Sequence, residues 1–169
     1  MKIGIIGAGA IGKKHAEAAV KAGATISWVI DIDPNLGPAL ADEYSASYSE
    51  SPQALWDDAT TTSVIIGVPN WLHKSLAIAA LSAGKDVFLE KPMALNVVQC
   101  QEIAHVAELH NRILQIGYAH RYTGVGQIAS ELIQQGKLGN IYHARANLFL
   151  RRGVPGLGKW FTNKEFSGG

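Results

Sequence analysis

Three glycines near the start narrow what this chain can fold into. Gly7, Gly9 and Gly12 form G-x-G-x-x-G directly after the apolar run KIGIIG and at the opening of AIGKKHAEAAVKAG. The first run reads as a buried strand over 2–7, and the second as a helix over 10–23 closed by Gly23. In such a turn the first glycine takes the tight bend and the second lets a pyrophosphate approach the backbone. The third lets helix and strand pack closely. Free N–H groups at the helix start, at Ala10 and Ile11, then face the phosphates. Asp31 comes 19 residues after Gly12, at the end of a second strand, ATISWVID over 24–31. That is the place where a carboxylate accepts ribose hydroxyls. The competing reading is a glycine-rich turn in another kind of α/β protein, with Asp31 as a plain strand terminator. Strand, helix and acid standing together favour dinucleotide binding.

Asp31 also bears on which dinucleotide. A phosphate on the ribose would sit against this carboxylate, and two unit charges about 4 Å apart repel by ~4 kcal/mol at an effective dielectric of about 20. A carboxylate bonded to ribose hydroxyls gains ~1.5–3 kcal/mol instead. Both terms favour NAD over NADP, and no arginine follows immediately in IDP. Asp33 competes for the role; Asp31 is preferred because it directly follows the apolar run.

The rest of the chain keeps a strand–helix rhythm. A helix is expected near 36–44, then strand SVIIGV over 63–68, helix 71–84, strand DVFLE over 86–90, helix 96–111 and strand RILQIG over 112–117. Asn96 and Gln99 are spaced as a capping box. Runs such as VIIGV are apolar on both faces, as in parallel strands covered on both sides. This argues a doubly wound α/β sheet of the Rossmann kind. The stretch 45–62 holds either a short strand or a loop. After Gly117 the texture changes. Val125, Ile128, Ala129, Leu132 and Ile133 have helical spacing up to Gly136, and 141–150 alternates with period two. The chain therefore divides near residue 118, into a dinucleotide-binding unit over 1–118 and the start of a second, α+β unit over 119–169. The last stretch, from Arg151 on, reads as loop.

Bulk properties exclude several classes. Lys and Arg total 15 against 14 Asp and Glu, so net charge directs no face toward nucleic acid or anionic lipid. No segment is long and apolar enough to cross a membrane. Cys100 is the single cysteine, so no intrachain disulfide forms, which fits a reducing cytoplasm. No histidines have metal-ligand spacing with a suitable third ligand, so no metal is expected. His73 and His15, each on an amphipathic helix, also read as satisfied polar residues; His105, His110 and His143 read as surface or packing residues, and Cys100 as an ordinary helix residue.

The glycine turn, P-N-x-x-H at 69–73, E-K-P at 90–92 and GYAHRY at 117–122 together resemble the Gfo/Idh/MocA oxidoreductase family. The resemblance spans essentially the whole chain. It implies NAD(P)-dependent hydride transfer at a carbinol carbon of a sugar or polyol. It implies that the Lys91 ammonium stabilises a developing alkoxide and that Pro92 fixes the turn that aims it. Glu90 would orient the lysine or the cofactor. Pro69, Asn70 and His73 would line the nicotinamide side, and Arg121 would approach substrate or cofactor; His120 receives no role. Family members are typically homo-oligomers and continue into a large antiparallel sheet with G-G-G-x-x-x-D-x-G-x-H. This chain ends FSGG, before that aspartate and histidine. The expectation is therefore an incomplete second domain, no general base and little activity. A non-catalytic NAD-binding sensor or vestigial module is the alternative.

Overall fold

The computed structural model describes residues 1–147, 149 and 162–168. Six strands form one parallel sheet: β1 (Lys2–Ile6), β2 (Thr25–Ile30), β3 (Ser47–Ser49), β4 (Ser63–Ile66), β5 (Asp86–Leu89) and β6 (Leu114–Ile116). Their order is β3-β2-β1-β4-β5-β6. The chain runs outward from β1 to one edge, crosses back, and continues from β4 to the other edge. The strand order reverses between β1 and β4, and a crevice opens there at the carboxyl ends. The doubly wound α/β expectation holds.

Strand periodicity divides the core. Ile3 and Ile5 of β1 join Ile26, Val29, Leu40 and the small Ala16 and Ala19 on the face covered by α1 (Ala10–Lys21) and α2 (Leu36–Tyr44). Ile6, Val64, Ile66, Val87 and Leu89 face the other way, toward Leu55, Leu81 and Ile103. Those residues come from α3 (Gln53–Asp57), α4 (His73–Ser82) and α5 (Val97–Leu109). Gly4 has a reason to be glycine: a Cβ there would stand 2.7 Å from a Leu55 methyl. The first face thins out over β5 and β6. Phe88 is half-buried there, and an open apolar groove of ≈ 360 Å³ runs past Ile3, Ile65, Phe88 and Ile113. The expectation of two fully covered faces is thus met over β1 and not over β5 among the described residues.

Several boundaries move for one reason. Gly7, Gly67 and Glu90 each donate one last N–H to a neighbouring strand, to Ile30, Ile6 and Ile66, and then leave the ladder. The strands therefore end earlier than their apolar runs. A 3-10 turn, Asn70–Leu72, precedes α4, so the expected 71–84 helix begins at His73. The ambiguous 45–62 stretch holds β3 and α3. Asn96 caps α5 by accepting from the Gln99 N–H at 3.0 Å, while the Gln99 side chain accepts from Leu95 N–H, one residue short of a full capping box. After β6 comes a 3-10 turn, Ala119–Tyr122, then α6 (Gly124–Gln134) with Val125, Ile128 and Ile133 exposed. The expected strand over 141–150 differs: residues 141–147 make no sheet pairing, and Leu148 and Leu150 lie outside the described residues. A lone amphipathic strand with no described neighbour has nothing to pair with. The stretch read as loop ends in a short helix, α7 (Lys164–Ser167).

Candidate functional site

The three glycines of the turn meet three different surroundings. Gly7 has φ +99°, and a Cβ there would lie 2.5 Å from the Gly67 carbonyl oxygen. Gly12 is buried in the first turn of α1, where a Cβ would fall 1.8 Å from the Gly7 oxygen. Neither position accepts a side chain. Gly9 is the reverse: nothing stands within 4 Å of its absent Cβ. The open side of the turn is therefore at Gly9, the residue whose carbonyl accepts the Lys13 N–H as α1 begins. No side chain caps this helix. Its first amides, at Ala10 and Ile11, are left to a ligand or water. A flat, unobstructed backbone with unclaimed N–H groups fits a pyrophosphate.

Asp31 stands at the end of β2 beside this turn. Its Oδ2 accepts from the Ala8 N–H at 2.5 Å and its Oδ1 from the Asp33 N–H at 2.8 Å. Ala8 was not legible as a site residue, because an alanine carries no side-chain signal. Asp33 is occupied otherwise: one oxygen accepts from Asn35 and Leu36 N–H at the start of α2. Those bonds, Asn35 first, hold its carboxyl below the usual range. The half-buried Asp31 is the carboxylate adjoining the glycine turn.

The E-K-P residues lie at the mouth of β5. Glu90 Oε1 stands 2.7 Å from His15 Nε2, and Oε2 accepts the Lys91 N–H at 3.1 Å. His15 also sets its ring edge against Phe88, with centroids 5.0 Å apart. This pair ties α1, which carries the glycine turn, to the strand that carries Lys91. The contact agrees with His15 as a satisfied polar residue; its partner needs the sheet order, which its sequence position does not reveal. A Cβ on Gly117, just after β6, would come within 3.2 Å of Glu90 Oε1, so a side chain there would crowd the carboxylate. Lys91 is exposed. With Gly117, Tyr118, His120 and Arg121 it lines an open pocket of ≈ 400 Å³. The Arg121 guanidinium sits 5.9 Å from the centre of the Tyr118 ring.

The P-N-x-x-H residues are placed differently. Pro69 is half-buried at the start of the turn after β4. Asn70 is 6% exposed and its amide donates to the Ser167 carbonyl of α7 at 2.9 Å. His73 is fully buried, with Nδ1 2.7 Å from the Pro92 oxygen and Nε2 2.9 Å from the Val68 oxygen. The glycine turn, Asp31, Glu90 and Lys91 thus share the carboxyl edge of the sheet. His73 lies beneath it, between β4 and the E-K-P turn. Among the described residues no group of three His, Cys, Asp or Glu side chains is placed to hold a metal ion, and no helix is long and apolar enough to cross a membrane.

A parallel sheet with this strand order, a glycine turn at its switch point and an acid at the end of the next strand define a dinucleotide-binding fold. The family described as "Oxidoreductase family, NAD-binding Rossmann fold", Gfo/Idh/MocA, matches residues 1–118, and the chain belongs to it. It is 34% identical over 172 residues to a D-glucoside 3-dehydrogenase of Escherichia coli, covering 100% of this chain and 49% of that protein. A myo-inositol 2-dehydrogenase structure from Lactobacillus plantarum superposes with TM-score 0.74 at 28% identity, covering 83% of this chain and 43% of the other. The WlbA dehydrogenase of Bordetella pertussis, in complex with NADH and UDP-GlcNAcA, superposes with TM-score 0.79 at 25% identity, covering 84% and 43%. The chain spans about half the length of the curated relatives it matches.

Proposed function

We propose that this chain carries the cofactor-binding half of an NAD-dependent oxidoreductase acting on a hydroxyl of a sugar or polyol. The observation that carries the reading is the meeting of three features at one sheet edge: a turn open only at Gly9, Asp31 beside it, and Lys91 at the mouth of β5. Bound there, the nicotinamide supplies the hydride-transferring ring. The amides of Ala10 and Ile11 would hold the pyrophosphate, while Gly7 and Gly12 keep the turn tight. Asp31 retains lone pairs beyond its bonds to Ala8 and Asp33 and would accept the ribose hydroxyls, which favours NAD over NADP.

Lys91 would polarise the substrate oxygen with its ammonium. Glu90, held by His15, fixes the backbone N–H of Lys91 and so the start of the turn that presents it. Arg121, across the same pocket, would hold substrate or cofactor. Residues 119–169 would open a second unit that shapes the substrate site and joins subunits, in a cytoplasmic protein. Relatives named for a D-glucoside and for myo-inositol support the substrate class. The proton-transfer groups are not identified in these residues, so the 169-residue chain would turn over little alone.

The test is NADH production by the purified chain with glucose, methyl glucoside and myo-inositol, beside a Lys91→Ala variant. Cofactor binding with turnover near baseline is the expected result. Robust turnover by the chain, unaffected by Lys91→Ala, contradicts both the assignment of the lysine and the division of labour between halves.

A further inference from the structure

Four residues, Lys164–Ser167, form α7, far along the chain from β4 and β5 yet set against the turns that leave them. A helix of four residues does not hold itself together in water. Asn163 caps it, its Oδ1 accepting the Glu165 N–H at 3.0 Å, and Gly168 closes it at φ +89°. Two turns of the cofactor unit support it. At the turn after β4, the buried Asn70 amide donates to the Ser167 carbonyl at 2.9 Å, and the Trp71 and Phe166 ring centres lie 4.9 Å apart. Beyond the turn after β5, Gly168 passes so close to Leu95 that a Cβ would stand 3.0 Å from the Leu95 Cα and carbonyl oxygen. We propose that α7 is a strap that positions the nicotinamide-side turns, tying the exit of β4 to the chain that follows Lys91.

The contacts fall where a strap can act. The exit of β4 leans on the glycine turn at its start: a Cβ on Gly7 would come within 3.1 Å of a Val68 methyl, and one on Gly67 within 3.5 Å of an Ile11 methyl. Two residues on, Asn70 and Trp71 meet α7. Leu95 lies four residues after Lys91, next to the Asn96 cap of α5. A side chain at Gly168 would press α7 away from Leu95, and the positive φ there favours glycine as well. Asn70 enters the site through this contact, since its amide nitrogen is bonded to the backbone of α7. None of these strap contacts involves Gly9 or Asp31. Each half of a doubly wound sheet takes one nucleotide of the pair. The strap therefore acts on the nicotinamide half, over β4 and β5, and leaves the ADP-ribose half at β1 and β2 alone. That division rests on the cofactor reading given above, but the strap itself does not.

Two measurements on the whole chain test this. Amide hydrogen exchange is compared between the chain and a Phe166→Ala variant; the ring is 36% exposed, so its loss opens no cavity in the core. The reporters are the Leu72 N–H, which donates to the Pro69 carbonyl, and the Leu95 N–H, which donates to the Gln99 side chain. Both should exchange at least tenfold faster, with Val64 and Val87 in the sheet unchanged, and Phe166→Tyr should restore the slow rates. Unchanged exchange at either turn overturns the strap, and so does equal acceleration in the sheet. NADH and ADP-ribose are then titrated into each protein. Phe166→Ala should weaken NADH at least tenfold and leave ADP-ribose within about twofold. Equal loss of both, or loss of neither, overturns the positioning role. A chain that shows the exchange pattern yet binds neither ligand refutes the cofactor reading and leaves the strap standing.

Discussion

Gly9 and Gly12 carry the same residue for opposite reasons, and the two predict opposite mutants. A methyl at Gly12 would collide with the Gly7 carbonyl at 1.8 Å, so Gly12→Ala should destabilise the fold by about 1–3 kcal/mol or more, read by urea denaturation. Gly9→Ala places its methyl in open space at an ordinary φ of −66°, so stability should hold while NADH affinity falls at least tenfold. Equal loss of stability in both variants would contradict this division of roles. Asp31 predicts a third outcome. Asp31→Ala removes the carboxylate proposed to read the ribose, and should narrow the NADH over NADPH preference by roughly tenfold or more, the value of ~1.5–3 kcal/mol for a bond to a charged group. An unchanged ratio would move the specificity elsewhere. The glycines and Asp31 were legible because their spacing is tied to one backbone geometry. Ala8 and Gly67 were not, because they act through backbone atoms and approach distances. His73 was legible as part of a motif, but its burial was not, since a histidine on an amphipathic helix reads the same whether its ring faces in or out.

At the scale of elements, the sheet was readable because each strand is a short apolar run ending at a turn residue. Their ends were less so, because the last hydrogen bonds of β1, β4 and β5 are made by Gly7, Gly67 and Glu90, whose side chains say nothing of it. The strand β3 and helix α3 were obscured by polar residues that serve structure. Asp58, just after α3, shows why. Its carboxylate accepts from the Trp28 indole, the Thr60 and Thr61 hydroxyls and the Thr60 N–H, while Lys85 donates to the Asp58 and Thr61 carbonyls. Burial lowers the pKa of Lys85, with Asp58 and Asp57 opposing that shift. This network joins β2, β4 and β5 at the end of the sheet away from the site. The bonds, Thr61 first, hold the Asp58 carboxyl well below its ordinary range. Its folded value is depressed, so its stabilising contribution is full above the unfolded value of about 4 and is lost as pH falls below it. Thermal melts should show stability dropping below pH ~4, and Asp58→Asn should flatten that dependence while lowering stability at pH 7. A parallel pH dependence in the variant would assign acid sensitivity to other groups.

For the molecule as a whole, helices pack on both faces of one six-stranded parallel sheet, and the family match covers residues 1–118. What lies beyond is thinner: α6 shows its apolar residues to solvent, and the Phe88 side of the sheet keeps an open groove. The strand expected over 141–150 failed in its described part because period-two alternation specifies a face, and a face forms a sheet only where a neighbour pairs with it. The most direct test of the cofactor reading is a fluorescence titration of the purified 169-residue chain with NADH and, in parallel, NADPH. Saturable binding that prefers NADH is the predicted result. Absence of binding by either nucleotide, from a chain that is folded by circular dichroism, would contradict it.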